Sequence, residues 1–348
     1  MLTTWTVEDG RCHVREGAVS DVTASLPAAE SRAAAVAVAE PESLRHAVWI
    51  DLLNPTPQEE KAVQDALHVE IPTREEMQEI ESSSRLYREG DALFLTASFL
   101  YGVEIGEYAS TPITFVLTNT TLITVRYATP KAFTAFGVRA QRQPGTVLVT
   151  SDAVMLHLFE QIVDRLADVL ERLGADMDRA SQRTFRAARS NIKANRRDEQ
   201  LKETLITLGQ VGEVTSRTME TLIGLTRILT FIGAEKATAV RKENQNLLKT
   251  LVRDVRSLVD HSNALTSKAQ FLLDAVLGVI NVEQNNIIKT FTVASVALMP
   301  PTLIASIYGM NFEYMPELKW AQGYPIALIM MVVSAILPVL YFRRKGWL

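Results

Sequence analysis

Eight positions of the sequence fall on one line: Asn281, Asn285, Ile288, Thr292, Ser295, Met299, Thr302 and Ser306. Their spacing alternates between three and four, so in a helix they share one face. The polar members offer amide carbonyls and hydroxyls, which are neutral oxygens. The line carries no carboxylate and no thiolate. Neutral oxygens suit hard cations, and the smallest of these give up their water reluctantly, so such groups hold a hydrated ion through its waters. A soft-metal site needs Cys or His, and neither occurs near the line. Ile288 and Met299 interrupt it with apolar side chains, which can gate a pore by dewetting.

The element that must carry this line is a membrane span. Thr290 to Phe312 is 23 residues without a charge, and Ala321 to Phe342 is 22 more. A helix needs about 20 such residues to cross the hydrocarbon core. The spacing predicts spans at about 289–310 and 324–342. Tyr324 and the pair Tyr341-Phe342 suit the interface at either end of the second span. Arg343, Arg344 and Lys345 follow at once, and clustered cations beside a span mark the cytoplasmic side. The connection between spans has Glu313, Glu317 and a single Lys319. Both termini are therefore expected in the cytoplasm, with the spans in a bacterial-type inner membrane. Met1 to Gly10 is polar and does not read as a signal peptide. Cys12, the one cysteine of 348 residues, fits a reducing compartment.

Two spans cannot enclose a path. Several copies around an axis can, most simply with cyclic symmetry, and each position of the line then becomes a ring. Pro300 and Pro301 sit in mid-span and free the carbonyls of Val296 and Ala297. Such loosening is tolerated where the freed groups find neighbours or a water-filled cavity. The sequence has no loop of the Gly-x-x-x-x-Gly-Lys type for a nucleotide, so passive transport is expected. A potential of about 100 mV gives a divalent ion roughly 4.6 kcal/mol, which is over three decades of accumulation.

The rest of the chain is expected to be α+β followed by long helices. Residues 1–150 read as a cytoplasmic α/β domain, with strands at Ala47–Asp51, Ala92–Phe99, Pro112–Leu117 and Thr121–Arg126. Helices are expected at Pro57–Leu67 and Thr73–Ile80, the second from a Thr73/Glu76 capping box. Residues 21–43 read as a loose connection. Residues 151–288 read as a helical stalk region. One helix starts near Ser151, capped by Asp152, and another runs from Glu199 to about Ile232, where Gly233 interrupts it. A third runs from Arg241 to Tyr308. Sixty-odd helical residues at 1.5 Å each make roughly 100 Å, too long for one small domain to bury. It reads as a stalk that continues into the first span, packed against copies of itself. Residues 289–348 are the transmembrane domain. The basic run Arg179, Arg183, Arg186, Arg189, Lys193, Arg196 and Arg197 recurs at helical spacing with only Phe185 among it. A solvated or subunit-facing stripe is expected, not nucleic acid.

The first span ends in Tyr308-Gly309-Met310-Asn311, followed by Phe312-Glu313-Tyr314-Met315-Pro316-Glu317-Leu318. This closely resembles the signature of CorA-type magnesium channels. The likeness is closest over the last 70 residues or so and includes Gln284-Asn285 and Met299-Pro300-Pro301-Thr302. Trp49-Ile50-Asp51-Leu52 and Asn54-Pro55-Thr56 are similar to the family's cytoplasmic domain. The resemblance implies a funnel-shaped homopentamer carrying magnesium, with cobalt and nickel as fellow cargo. It implies an entrance formed by Gly309, Met310 and Asn311, with Asn311 against the hydrated ion. Pore-lining roles follow for Asn285, Ile288, Met299 and Thr302, and either Phe291 or Thr292 falls near the family's inner apolar constriction. It also implies regulation by intracellular Mg2+ held between acids of adjacent subunits. Asp254, Asp260 and Asp274 on the stalk are candidates, with Asp274 nearest the inner mouth, and Glu104 and Glu107 are candidates from the α/β domain. Facing carboxylates repel unless a cation bridges them.

Two other readings stand beside this one. A zinc transporter of the same superfamily differs generally in the middle residue of the entrance tripeptide, and Met310 favours magnesium. A non-conducting membrane-anchored scaffold accounts for stalk and spans but not for the aligned polar line. No nucleophile–base pair, metal-ligand cluster or phosphate loop suggests an enzyme, and no organic cofactor is expected. The expected partners are further copies of the chain, the bilayer and divalent cations.

Overall fold

The computed structural model describes residues 1–8, 10–17, 41–189, 194–235, 239–311, 313 and 315–347, with the backbone alone at positions 41, 42, 82, 187–189, 194–197, 317 and 318. In chain order the elements are β1 (Leu2–Glu8), β2 (Arg11–Gly17), α1 (Pro41–Arg45), β3 (Trp49–Leu53), α2 (Pro57–Leu67), α3 (Ser82–Arg85), β4 (Leu86–Glu89), β5 (Ala92–Tyr101), β6 (Ala109–Leu117) and β7 (Leu122–Arg126). Helices follow: α4 (Lys131–Arg142), α5 (Pro144–Val147), α6 (Ser151–Arg189), α7 (Ala194–Ala234), α8 (Gln245–Tyr308) and α9 (Gly323–Arg344). The chain divides into two compact units. One comprises 1–185 and 193–271, the other 186–192 and 272–348.

The first unit is built on a seven-stranded sheet of order β2-β1-β3-β7-β6-β5-β4, in which only β3 and β7 pair in parallel. Alternation along β3 and β7 explains its two faces. Ile50, Leu52, Ile123 and Val125 point into a core closed by Leu44, Val63, Ala66 and Met77. Trp49 and Thr124 lie on the other face, where Trp49 stacks on Trp5 at 4.8 Å and meets Phe136 of α4 edge-on at 5.2 Å. Phe115 meets Phe159 of α6 at 4.9 Å.

Asp51 and Arg126, neighbours across the parallel pair, form a buried bidentate ion pair: Nη2 to Oδ2 is 2.7 Å and Nε to Oδ1 is 2.9 Å. Thr124 donates to Asp51 at 2.7 Å, and Arg126 Nη1 donates to the Ala128 carbonyl at 2.8 Å. Each nitrogen and oxygen of the pair thus has at least one hydrogen-bond partner, the condition for a buried pair to be tolerated.

Beyond Leu95, β5 outruns its short neighbour β4. Helix α7 covers the exposed edge. Thr221 Oγ1 accepts the Leu100 N–H at 3.0 Å, and Gly224 lets the helix approach so closely that a Cβ there would stand 2.8 Å from that of Ala97. Covering an edge strand in this way removes a template for unwanted pairing. Ser110–Glu220 (3.2 Å) and Arg88–Glu235 (3.2 Å) hold the same helix to β6 and β4.

Asp152 does not cap α6 as expected but sits within its first turn. The N-cap hydroxyl is that of Thr150, which accepts the Ala153 N–H at 3.3 Å. The Asp152 carboxylate instead accepts the Arg241 N–H (2.9 Å), Asn244 Nδ2 (2.8 Å) and the Thr150 hydroxyl (2.6 Å), tying the start of α6 to the turn that opens α8. Burial raises its pKa, but Asn244, Thr150 and Arg241 outweigh burial and hold it below the usual carboxylate value.

Several expected elements are redrawn. The Thr73/Glu76 box forms, but only a single 3-10 turn follows at Glu76–Gln78. Met77 alone is buried there and Ile80 stays 87% exposed, so no second apolar side chain anchors another turn. Gly233 does not break α7, which runs on to Ala234. The hairpin β1–β2, strand β4 and α4 were not anticipated. Asp9-Gly10 is the hairpin signal in the sequence. Gly137 of α4 faces Trp5, where a Cβ would lie 3.3 Å from the indole. Residues 21–40 of the expected loose connection lie outside the described residues, and α1 begins at Pro41.

Two outcomes follow. Asp51→Ala leaves Arg126 buried and unpaired and is expected to cost about 3–5 kcal/mol; in thermal melts of the full chain in detergent, the double change Asp51→Ala/Arg126→Met recovers much of that loss. Asp152, with its lowered pKa, contributes stability above the unfolded value of about 3.9 and loses it as pH falls through the folded value. Asp152→Asn is therefore expected to flatten the acid limb of melting temperature against pH.

Candidate functional site

Helix α8 is continuous from Gln245 through Tyr308, so the polar line lies on one uninterrupted helix despite Pro300 and Pro301. Its burial pattern within the span has a direction. Lys289, Val293, Ala297, Pro300, Ile304 and Tyr308 are buried or half-buried, with Val293 the most enclosed at 5% exposure. They too are spaced by three and four, but they lie on the opposite side of the helix from the line. On the line itself Asn285, Ile288, Met299, Thr302 and Ser306 are exposed, while Thr292 and Ser295 are half-buried. Phe291, beside it, is 74% exposed. The seam, apolar apart from Lys289, is thus the more enclosed side, and the polar line is mostly exposed.

Two of the hydroxyls on this face are oriented. Thr292 donates to the Ile288 carbonyl at 2.7 Å, and Thr302 to the Met299 carbonyl at 2.8 Å and the Leu298 carbonyl at 3.1 Å. A hydroxyl has one proton and two lone pairs. With the proton committed to the helix, each Thr presents only acceptors outward. An acceptor-only surface favours the positive ends of hydrated cations and gives an anion no donor.

At the end of the helix, Gly309 N–H bonds the Ala305 carbonyl (2.9 Å) and Met310 N–H the Ile307 carbonyl (3.3 Å). A Cβ on Gly309 would stand 3.1 Å from the Ala305 carbonyl oxygen, tight against backbone. Met310 and Asn311 follow with exposed side chains, as does Glu313. Phe312, Tyr314 and the Glu317 side chain lie outside the described residues. Helix α9 spans Gly323–Arg344 and is apolar apart from its ends and Ser334, whose hydroxyl donates to the Met331 carbonyl at 2.9 Å.

The acidic candidates do not form one group. Glu104 lies in the β5–β6 turn, closed by Gly102, where any Cβ would collide with the Glu107 carbonyl at 1.9 Å. Its carboxylate pairs with Arg165 and, at 3.9 Å, with Lys131. Burial works to raise its pKa, but the backbone N–H and Arg165 prevail and lower it. Glu107 is exposed. On α8, Asp254 lies 3.5 Å from Arg253, whereas Asp260 and Asp274 are exposed and make no ion pair among the described residues. The Asp164 pKa is raised by burial first, then by Glu160, with Asp168 and Asp254 adding to it. Among the described residues no three His, Cys, Asp or Glu side chains converge as a metal site. In the basic run Arg179 pairs with Asp176, and Arg183 with Glu203 at 4.0 Å. The side chains of Arg189, Arg196 and Arg197, and all of Lys193, lie outside the described residues.

Sequence comparison identifies the relatives of this arrangement. A family model described as CorA-like Mg2+ transporter protein matches residues 45–344. The magnesium transport protein CorA of Salmonella typhimurium is 35% identical over 321 residues, which is 92% of this chain and 98% of that one. The Escherichia coli K12 protein of the same name is 35% identical over 313 residues, 89% of this chain and 95% of its own. Among solved structures, the complete CorA magnesium transporter of Methanocaldococcus jannaschii superposes with a TM-score of 0.70 at 17% identity, covering 100% of this chain and 99% of that one.

The oriented hydroxyl yields a direct test. Thr302→Val keeps shape and helix but deletes the outward lone pairs, so divalent-cation flux is expected to fall about tenfold, a barrier rise of about 1.4 kcal/mol. Thr302→Ser should retain most of the flux. Ion uptake normalised to inserted protein measures both.

Proposed function

The chain belongs to the CorA-like Mg2+ transporter family, and from that premise we propose that this magnesium transporter is a passive channel driven by the membrane potential and closed by intracellular Mg2+. The observation that carries the reading is the opposition on α8: a largely half-buried seam on one side and, on the other, a mostly exposed polar line whose two threonines present acceptors outward. A homo-oligomer, as a pentamer, turns that line inward. Asn311, Met310 and Gly309 then ring the entrance, and Asn311 meets the hydrated ion. Asn285, Thr292, Ser295, Met299, Thr302 and Ser306 line the path. Phe291, apolar and 74% exposed, forms the inner constriction with Ile288. The hydrated ion passes through contacts with neutral oxygens, so it is never bound tightly enough to stall. Cobalt and nickel, of similar charge and size, share the path. The protein lies in the inner membrane with both termini in the cytoplasm.

Closure by internal Mg2+ needs unpaired acids between subunits. Asp260 and Asp274 meet that need best, being exposed and without an ion pair among the described residues. Asp254 and Glu107 are secondary. Glu104 is already neutralised by Arg165 and Lys131, so it joins such a site only by exchanging partners.

Reconstitution tests the reading. In proteoliposomes low in internal Mg2+, wild-type uptake is expected to rise with an inside-negative potential, and Asn311→Ala to abolish it. Raising internal Mg2+ should close the wild type, and Asp274→Asn should shift that closure to higher concentration. Uptake indifferent to potential in a folded, inserted oligomer contradicts the passive mechanism.

A further inference from the structure

Helix α9 ends in a built structure that conduction does not call for. Gly346, at φ +72°, donates its N–H to the Arg343 carbonyl (3.2 Å), and Trp347 donates to the Phe342 carbonyl (3.0 Å). These two bonds and the left-handed glycine make a Schellman cap. The cap folds Trp347 back onto Phe342, with ring centroids 5.1 Å apart and planes at 25°. Lys345 is thereby held over two aromatic faces, its Nζ 5.8 Å from the Tyr341 ring and 5.4 Å from the Trp347 ring. Arg343 and Arg344 are exposed and make no ion pair among the described residues, and α9 contains no acid to neutralise them.

Cations at a helix C-terminus interact well with its dipole, and cations beside a span set topology. Neither effect requires a cap that clamps an ammonium between aromatic rings. The clamp fixes Tyr341 and Trp347 at the end of an apolar helix, where such rings suit the headgroup level. It also fixes three cations within one turn of them.

We propose that Arg343, Arg344 and Lys345 form a binding site for the phosphodiester headgroup of an anionic phospholipid, walled by Tyr341 and Trp347. The two free guanidiniums donate to the phosphate oxygens, and Lys345 supplies a third positive charge at fixed distance. Guanidinium–phosphate pairing is bidentate and stronger than pairing between neutral groups. The site rests on the membrane assignment of α9 and not on conduction, so a failure here leaves the channel reading untouched.

Native mass spectrometry of the full-length oligomer in neutral detergent tests it, with phosphatidylglycerol and phosphatidylcholine as probes. The wild type is expected to hold phosphatidylglycerol at least about tenfold more tightly than phosphatidylcholine, since each cation near an anionic lipid contributes about fivefold. R343Q/R344Q should lose that preference while the oligomer mass is unchanged, and R343K/R344K should recover most of it. Gly346→Ala, which strains the cap, should weaken the preference with all three cations present. Equal affinity for the two lipids overturns the proposal. So does an R343Q/R344Q preference equal to that of the wild type, or displacement of phosphatidylglycerol by millimolar inorganic phosphate, which marks a site for the free anion. Dissociation of the oligomer on R343Q/R344Q also overturns it, since the arginines then serve a subunit contact.

Discussion

A helix in hydrocarbon must give every polar group a partner, and α8 gives its hydroxyls their partners only halfway. Thr292 and Thr302 each spend their proton on the helix's own carbonyls and leave their lone pairs facing out. Lipid offers nothing to those acceptors, so the face that carries them is better served by water or by other helices. The enclosed seam through Val293, Ala297 and Ile304 lies opposite, so one chain cannot cover both sides. The proposed oligomer around a wet axis satisfies this constraint, and the orientation of the Thr292 and Thr302 protons favours hydrated cations within it.

The first unit gives the helix a firm root. Asp152, nearly excluded from solvent, draws the Arg241 amide and the Asn244 side chain onto the start of α6. Helix α7 is held to β5 by Thr221 and by the glycine at 224, and to the sheet's rim by Glu220 and Glu235. Beneath them the Asp51–Arg126 pair locks the parallel strands. These contacts are charge-assisted or sterically exact at the backbone, and they leave the acids on the exposed side of α8, Asp260 and Asp274, unspent.

Much of this was legible in the sequence because helical periodicity is local. The shared face of the polar line, the end of α8 at Tyr308 and the helix Pro57–Leu67 needed only spacing and capping residues. What escaped was long-range. Arg126 finds Asp51 across 75 residues, and Asp152 finds Arg241 across 89, so neither partnership has a local signature. Glu104 read as a free acid because Arg165 lies 61 positions away. Spacing left the choice between Phe291 and Thr292 undecided, since Thr292 lies on the line and Phe291 beside it; Phe291 is exposed while the Thr292 hydroxyl bonds its own helix, which is why we propose Phe291 for the constriction.

The central claim is that the open polar face of α8 lines the ion path. Cysteine scanning of the span, in a chain whose Cys12 is replaced by Ala, tests it most directly. The account predicts that a charged thiol reagent blocks Mg2+ flux for cysteines at 295, 299, 302 and 306 and spares flux for those at 293, 297 and 304. Block that follows the second set, or no periodicity at all, contradicts it.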